Sequence, residues 1–268
     1  MRGLAISPDG QRLMLLMGRS QGEIRVMRID GSGSRTLAAG RLLDPHWSSD
    51  GKCIYYIAEP AQARALVRHD LNGSVPPETV LQFKPGEVVR LAGISPGGRT
   101  ALLFLGSRLH ALGLDQSPVR APEPLVLQDK SLHPWNHAIF SPDGKWIASP
   151  MSAGGMVFIP WPQSGTPLRA YGATTSLTFP FFHPSGKELC GHQEGILACS
   201  PIRFTADGPR LDEPQIIPAE ARAFTSGYHD SQWAPDGSKI LMLTTDQPER
   251  VLPTVLTDWS VLAENSEN

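Results

Sequence analysis

The sequence predicts an all-β chain, a six-bladed β-propeller of four-stranded antiparallel blades. Three observations carry that expectation: a tetrapeptide repeated six times, a short apolar run after each copy, and an excess of turn-forming residues. The first copy is Ser7-Pro8-Asp9-Gly10. The others are Ser48-Ser49-Asp50-Gly51, Ser95-Pro96-Gly97-Gly98, Ser141-Pro142-Asp143-Gly144, His183-Pro184-Ser185-Gly186 and Ala234-Pro235-Asp236-Gly237, at spacings of 41, 47, 46, 42 and 51 residues. Self-similarity at such a period marks a repeat architecture, and four strands per ~40–50 residues is the size of a propeller blade. Glycine (26) and proline (25) are together about a fifth of the 268 residues, above the ~12% of average proteins and below the ~25–30% of disordered chains.

Each repeat opens on a strand ending in a large apolar residue: Ile6, Trp47, Ile94, Phe140, Phe182 and Trp233. The tetrapeptide then turns the chain. Proline presets φ at the second position, aspartate or serine bonds the local backbone, and glycine takes the left-handed position. A second strand follows, as in Leu13–Met17, Cys53–Ile57 and Ile240–Leu243; these runs are too short for helices and are bounded by turn residues. Glu23–Ile29 reads as a third strand, and Asp30-Gly31-Ser32-Gly33 as the turn into a fourth. The repeats span 1–41, 42–87, 88–134, 135–175, 176–227 and 228–262 of one domain, with 263–268 as a disordered tail. After Gly237 only 239–244 and 252–258 remain as strands, so the closing blade is expected to have three. Such a blade leaves an exposed edge, which proteins usually protect. Arg2 already lies inside the first strand, so the reading favoured is the C-terminal part of a longer chain over a complete monomer.

The run Phe140-Ser141-Pro142-Asp143-Gly144-Lys145-Trp146-Ile147-Ala148 resembles the WD-like repeat of TolB-type propellers, and the resemblance extends over almost the whole chain. Copies three and five depart at the aspartate, with Gly97 and Ser185. Tyr228-His229-Asp230, Trp233–Gly237 and Val255–Leu262 are similar to the closing segment of bacterial TolB-like propellers that follow a kinase or winged-helix domain. Asp258 stands where those relatives usually have asparagine. The resemblance implies a bacterial, non-enzymatic interaction or sensing scaffold with a protein or peptide partner. Relatives often lie outside the cytoplasmic membrane, so a periplasmic location is expected if a membrane segment lies upstream, and a cytoplasmic one otherwise.

Composition narrows the functions. A net charge of −2 gives no electrostatic footprint for nucleic acid or for an anionic membrane surface. No apolar run reaches the ~18 residues of a membrane span, and the opening residues show no export signal. Three cysteines are too few for a disulfide scaffold.

Several motifs have a bland explanation. Gly93-Ile94-Ser95-Pro96-Gly97 matches the hydrolase nucleophile elbow but sits in a repeated turn with no helix after it. Ser141–Trp146 approaches a sialidase Asp-box but lacks the residue that motif carries between aspartate and glycine. His183, Cys190, His192 and Cys199 fall within 17 residues, yet their spacing misses the usual zinc patterns. They read as a structural cysteine and a rim histidine, with no metal and no cofactor expected. Gly31–Ser34 and Gly154-Gly155 lack the grammar of a phosphate loop.

What remains is positional. The residues five and four before each tetrapeptide fall where the inner strands begin, at the mouth of the central channel. They place Arg2, Asp44, Arg90, Asn136, His137, His229 and Asp230 in one mixed polar ring, with His46, His133 and Trp135 beside it. This ring is the candidate binding site for a protein, a peptide or a small ligand. Replacing Arg90 and Asp230 by alanine is then expected to weaken binding and to leave the melting temperature unchanged. The opposing reading is an enzyme-associated propeller: one parted from a peptidase's hydrolase domain, or a lactonase-like metal-dependent hydrolase.

Overall fold

The computed structural model describes residues 3–18, 21–60, 63–73, 75–132, 134–135, 137–162, 171–173, 175–193, 196–205, 208–217, 231–247 and 250–257, from 243 onward as backbone alone. Six antiparallel sheets occur among them. The first is Gly3–Ile6 (β1), Arg12–Met17 (β2), Gly22–Arg28 (β3) and Arg35–Gly40 (β4); the second is Leu42–Trp47 (β5), Cys53–Ala58 (β6), Ala65–Asp70 (β7) and Glu78–Gln82 (β8). The third is Val89–Ile94 (β9), Thr100–Leu105 (β10), Arg108–Gly113 (β11) and Glu123–Pro124 (β12); the fourth is Ile139–Phe140 (β13), Trp146–Pro150 (β14), Met156–Pro160 (β15) and Tyr171–Ala173 (β16). The fifth holds Thr178–Phe182 (β17), Glu188–Gln193 (β18), Ile196–Thr205 (β19), Gly208–Leu211 (β20) and Gln215–Ile216 (β21). The sixth is Ser231–Trp233 (β22), Lys239–Gln247 (β23) and Arg250–Thr257 (β24). No helix among the described residues is long and apolar enough to cross a membrane.

The tetrapeptides form the turn between the first two strands of every sheet. In each, the glycine N–H donates to the carbonyl of the first residue, and the glycine φ lies between +66° and +73°. The Ser48 hydroxyl donates to Asp50 at 2.6 Å while accepting the Cys53 N–H at 3.0 Å, and the same pair of bonds recurs at Ser7 and Ser141. Ser95 accepts from the Thr100 N–H at 3.0 Å, so the serine of the elbow-like motif is a turn residue.

The second strands read as continuous apolar runs because both faces of each sheet are covered. Side chains alternate between neighbours: Leu13 and Leu15 of β2 pack toward the sixth sheet, Met14 and Leu16 toward the second. In β10, Ala101 and Leu103 face the second sheet, and Leu102 and Phe104 the fourth. Six apolar clusters result, one at each junction between consecutive sheets. The last joins Leu241 to Leu4, Ile6, Leu13 and Leu15 and thereby closes the ring. The turns also approach one another around the ring: a Cβ added at Gly51 would touch Pro8, one at Gly144 Pro96, one at Gly186 Pro142 and one at Gly10 Pro235.

Two elements differ from the sequence expectation. The fifth sheet has a fifth strand, because β19 runs on past its pairing with β21 and turns back as β20. The hairpin is held by Phe204, whose ring lies 5.6 Å from that of Trp146, and by Gly208 against the Tyr171 ring. His192, expected on a rim, is fully buried, and Cys190 and Cys199, which pair directly across β18 and β19, form a disulfide.

Candidate functional site

Inner strands have one edge without a neighbouring strand, and the N–H and C=O groups along it need other partners. Side chains of the adjacent sheet supply several. Gln232 Oε1 accepts the Ile6 N–H at 2.9 Å, and the Trp47 indole N–H donates to the Ala5 carbonyl at 3.1 Å. His46 Nε2 lies 3.2 Å from the Leu91 carbonyl, so this nitrogen carries the hydrogen.

Asp44 and Arg90, both expected at the channel mouth, are partners across two sheets. The guanidinium donates twice to the carboxylate at 2.6 Å, and the Leu91 N–H adds a third bond at 3.3 Å. Asp44 is only 6% exposed. The structure thus corrects one expectation: Arg90 neutralises a buried carboxylate, so its removal costs stability as well as any ligand contact.

Asp44 and Phe179 stand at the same place in their repeats, and both adopt a left-handed backbone, with φ of 49° and 50°. Each precedes a proline that cannot donate to the ladder. The register jumps there, from Leu43↔Ile57 to His46↔Tyr55 and from Thr178↔His192 to Phe181↔Cys190, which sets two residues opposite one. These bulges turn the start of the inner strand. For an aromatic residue the left-handed region is strained, by roughly 1–3 kcal/mol.

The inner strands enclose a channel cavity of about 430 Å³ with wall residues from all six sheets. Its lower collar carries Pro8, Pro96, Pro142, Pro184 and Pro235; its polar groups include His46, His137, Ser231 and Gln232. No Asp, Glu, Lys or Arg occurs among the described wall residues. His137 is buried against Phe179, ring centroids 6.1 Å apart. Burial pushes its imidazole down to about 3, with help from the nearby His46 and Arg90, so it is neutral at pH 7. His192, whose ring lies 6.4 Å from that of Phe179, is lowered by burial too.

Of the ten residues the sequence points to, Asp44, His46, Arg90 and His137 come together. Trp135 is 49% exposed on the loop that leads to His137, whose N–H donates to the Trp135 carbonyl at 2.7 Å. Arg2, His133, Asn136, His229 and Asp230 lie outside the described residues. Phe179 stands four residues before its tetrapeptide, the offset that placed Asp44. Sequence reasoning missed Ser231 and Gln232 as wall residues; they stand three and two residues before the tetrapeptide, closer than the offsets of five and four that it used.

The sheets, arranged as a closed ring about a channel, define a β-propeller. Neither a family model nor a curated protein matches the sequence. Among solved structures, TolB from Acinetobacter baumannii is 15% identical with a TM-score of 0.69, over 92% of this chain and 61% of that one. The chain therefore spans less than two thirds of that TolB. The β-propeller domain of Cps50 (Swd1) from Myceliophteria thermophila is 13% identical with a TM-score of 0.63, over 96% and 86% of the two chains. The periplasmic gluconolactonase of Pseudomonas aeruginosa is 15% identical with a TM-score of 0.60, over 96% and 85%. At these identities the likeness is one of fold, and function rests on the site.

Proposed function

We propose that the chain is a non-enzymatic interaction module whose channel mouth takes a peptide segment of a protein partner. The observation that carries this is the channel itself: about 430 Å³, walled by every sheet and with no Asp, Glu, Lys or Arg among its described wall residues. Such a wall rewards an uncharged side chain and penalises the desolvation of an acidic sugar or phosphate. The Asp44 and Arg90 charges, turned on each other, do not compete for the ligand. The disulfide fits an oxidising compartment.

The test is selection of binding peptides from a random library. Their affinity is then measured against a variant plugged by Ala5→Phe and Gly93→Phe that keeps the wild-type melting temperature. Loss of about tenfold or more supports the reading; peptides that bind the plugged form equally well would refute it. The lactonase-like alternative draws on the Pseudomonas neighbour and requires a channel metal. Calcium and manganese titrations with a lactone-hydrolysis assay decide it, since turnover that depends on added metal would replace the binding reading.

A further inference from the structure

Cys190 and Cys199 sit directly opposite each other on β18 and β19, and Glu188 precedes Cys190 by two residues on the same face of β18. The two sulfurs and a Glu188 carboxylate oxygen all lie within 4.8 Å of one another. Glu188 Oε2 is buried and has no hydrogen-bond partner. A buried carboxylate oxygen of this kind is costly unless a cation or a proton meets it. The Trp233 indole N–H points at Cys190 Sγ from 3.3 Å, a donor suited to a thiolate. Leu197, Ile217, Ile240 and Met242 surround the sulfurs with apolar atoms.

We propose that this cluster is a redox-gated site for a thiophilic divalent cation, zinc by preference, at the junction of the fifth and sixth sheets. In the oxidised chain the sulfurs are bonded to each other and have no ligand capacity to spare. A dithiol reductant opens the bond: two electrons and two protons pass to Cys190 and Cys199, and the reductant leaves as its own disulfide. Zinc then displaces both thiol protons and is held by two thiolates and the Glu188 carboxylate, at ~2.3 Å from sulfur and ~2.0–2.2 Å from oxygen. Ligand atoms already within 4.8 Å of one another need only a small shift to reach that shell. The fourth position is left to solvent, which reaches the site from the side of the partly buried Glu188. Three ligands from two adjacent strands also explain why the sequence shows no C-x-x-C motif. The spacing is set by strand register.

The experiment reduces the full chain with a phosphine, removes oxygen, and titrates zinc against a chromophoric chelator, with cadmium in parallel for its thiolate charge-transfer absorption. The expected result is one ion per reduced chain and none per oxidised chain. Glu188→Gln, which keeps the size of the side chain, should weaken binding at least ~10-fold, the loss typical of perturbing even an outer ligand partner. Circular dichroism and melting of that variant establish that it is folded. The proposal is overturned if reduced wild type binds no more tightly than the Cys190→Ser, Cys199→Ser double variant. Equal binding by Glu188→Gln also overturns it, because the carboxylate is what makes the pair a site.

Discussion

At the scale of single residues, the channel mouth is governed by burial. The Asp44–Arg90 pair is bidentate, short and largely removed from water. Removing one member of such a pair strands the other, so Arg90→Ala should cost about 3–5 kcal/mol in denaturant unfolding. The double change Asp44→Leu, Arg90→Leu should cost less than Arg90→Ala alone, and a larger loss in the double variant would contradict this account. His137 makes a second prediction. Its proton is taken up by the unfolded chain near pH 6.5 and by the folded chain only near 3. Unfolding therefore binds protons between those values. Stability is complete above pH 6.5 and falls by about 1.4 kcal/mol per pH unit for each such group as pH drops through the window. His192, lowered by burial, and His69, lowered by burial and by Arg35, act in the same direction. His137→Asn should reduce the slope of stability against pH by one proton; an unchanged slope in urea titrations from pH 4 to 7 would exclude the assignment.

At the scale of elements, the tetrapeptide turn was the most legible feature, because its chemistry is local. A left-handed glycine and a serine–aspartate bond follow from four residues in a row, and all six turns form with that geometry at the glycine. The exceptions are instructive. In the third copy Gly97 replaces the aspartate, so Ser95 lacks the acceptor that Ser7, Ser48 and Ser141 have. Gly97→Asp should restore it and stabilise the chain by about 1 kcal/mol, since a Cβ there meets nothing within 4 Å. Gly51→Ala should cost about 1–2 kcal/mol, all of it from a φ of +66°, because its Cβ makes only an ordinary contact with Pro8. Thermal melts of the two variants should move in opposite directions. The β20 hairpin, by contrast, was not legible: what holds it is Phe204 meeting Trp146 and Gly208 meeting Tyr171, both of the preceding sheet, contacts that no local pattern encodes. The same holds for the channel. Counting back from the turns located Asp44, Arg90 and His137, but the pairing of Asp44 with Arg90 depends on the placement of neighbouring sheets.

For the whole molecule, the decisive junction is the one where the two ends of the described chain meet. Along the ring, consecutive sheets are joined by chain and by apolar clusters; between the sixth sheet and the first there is contact alone. Leu241 is the sole fully buried apolar side chain that the described part of the sixth sheet contributes there, against four from the first. Gln232 Oε1 holds the Ile6 N–H across a sequence separation of 226 residues. A junction with no covalent connection between its two sheets has the lowest local opening free energy, so it should open before the rest of the ring. Native-state hydrogen exchange reads this directly. The Ile6 amide should exchange by local opening well below the global unfolding free energy, whereas the Leu102 and Leu103 amides, between two covered faces, should exchange near it. Gln232→Ala removes the acceptor and should accelerate Ile6 exchange by about tenfold, the kinetic equivalent of one hydrogen bond worth ~1 kcal/mol or slightly more, with little change at Leu102. Equal protection of Ile6 and Leu102 in the wild type would mean that the ring opens as a unit and that closure does not depend on this junction.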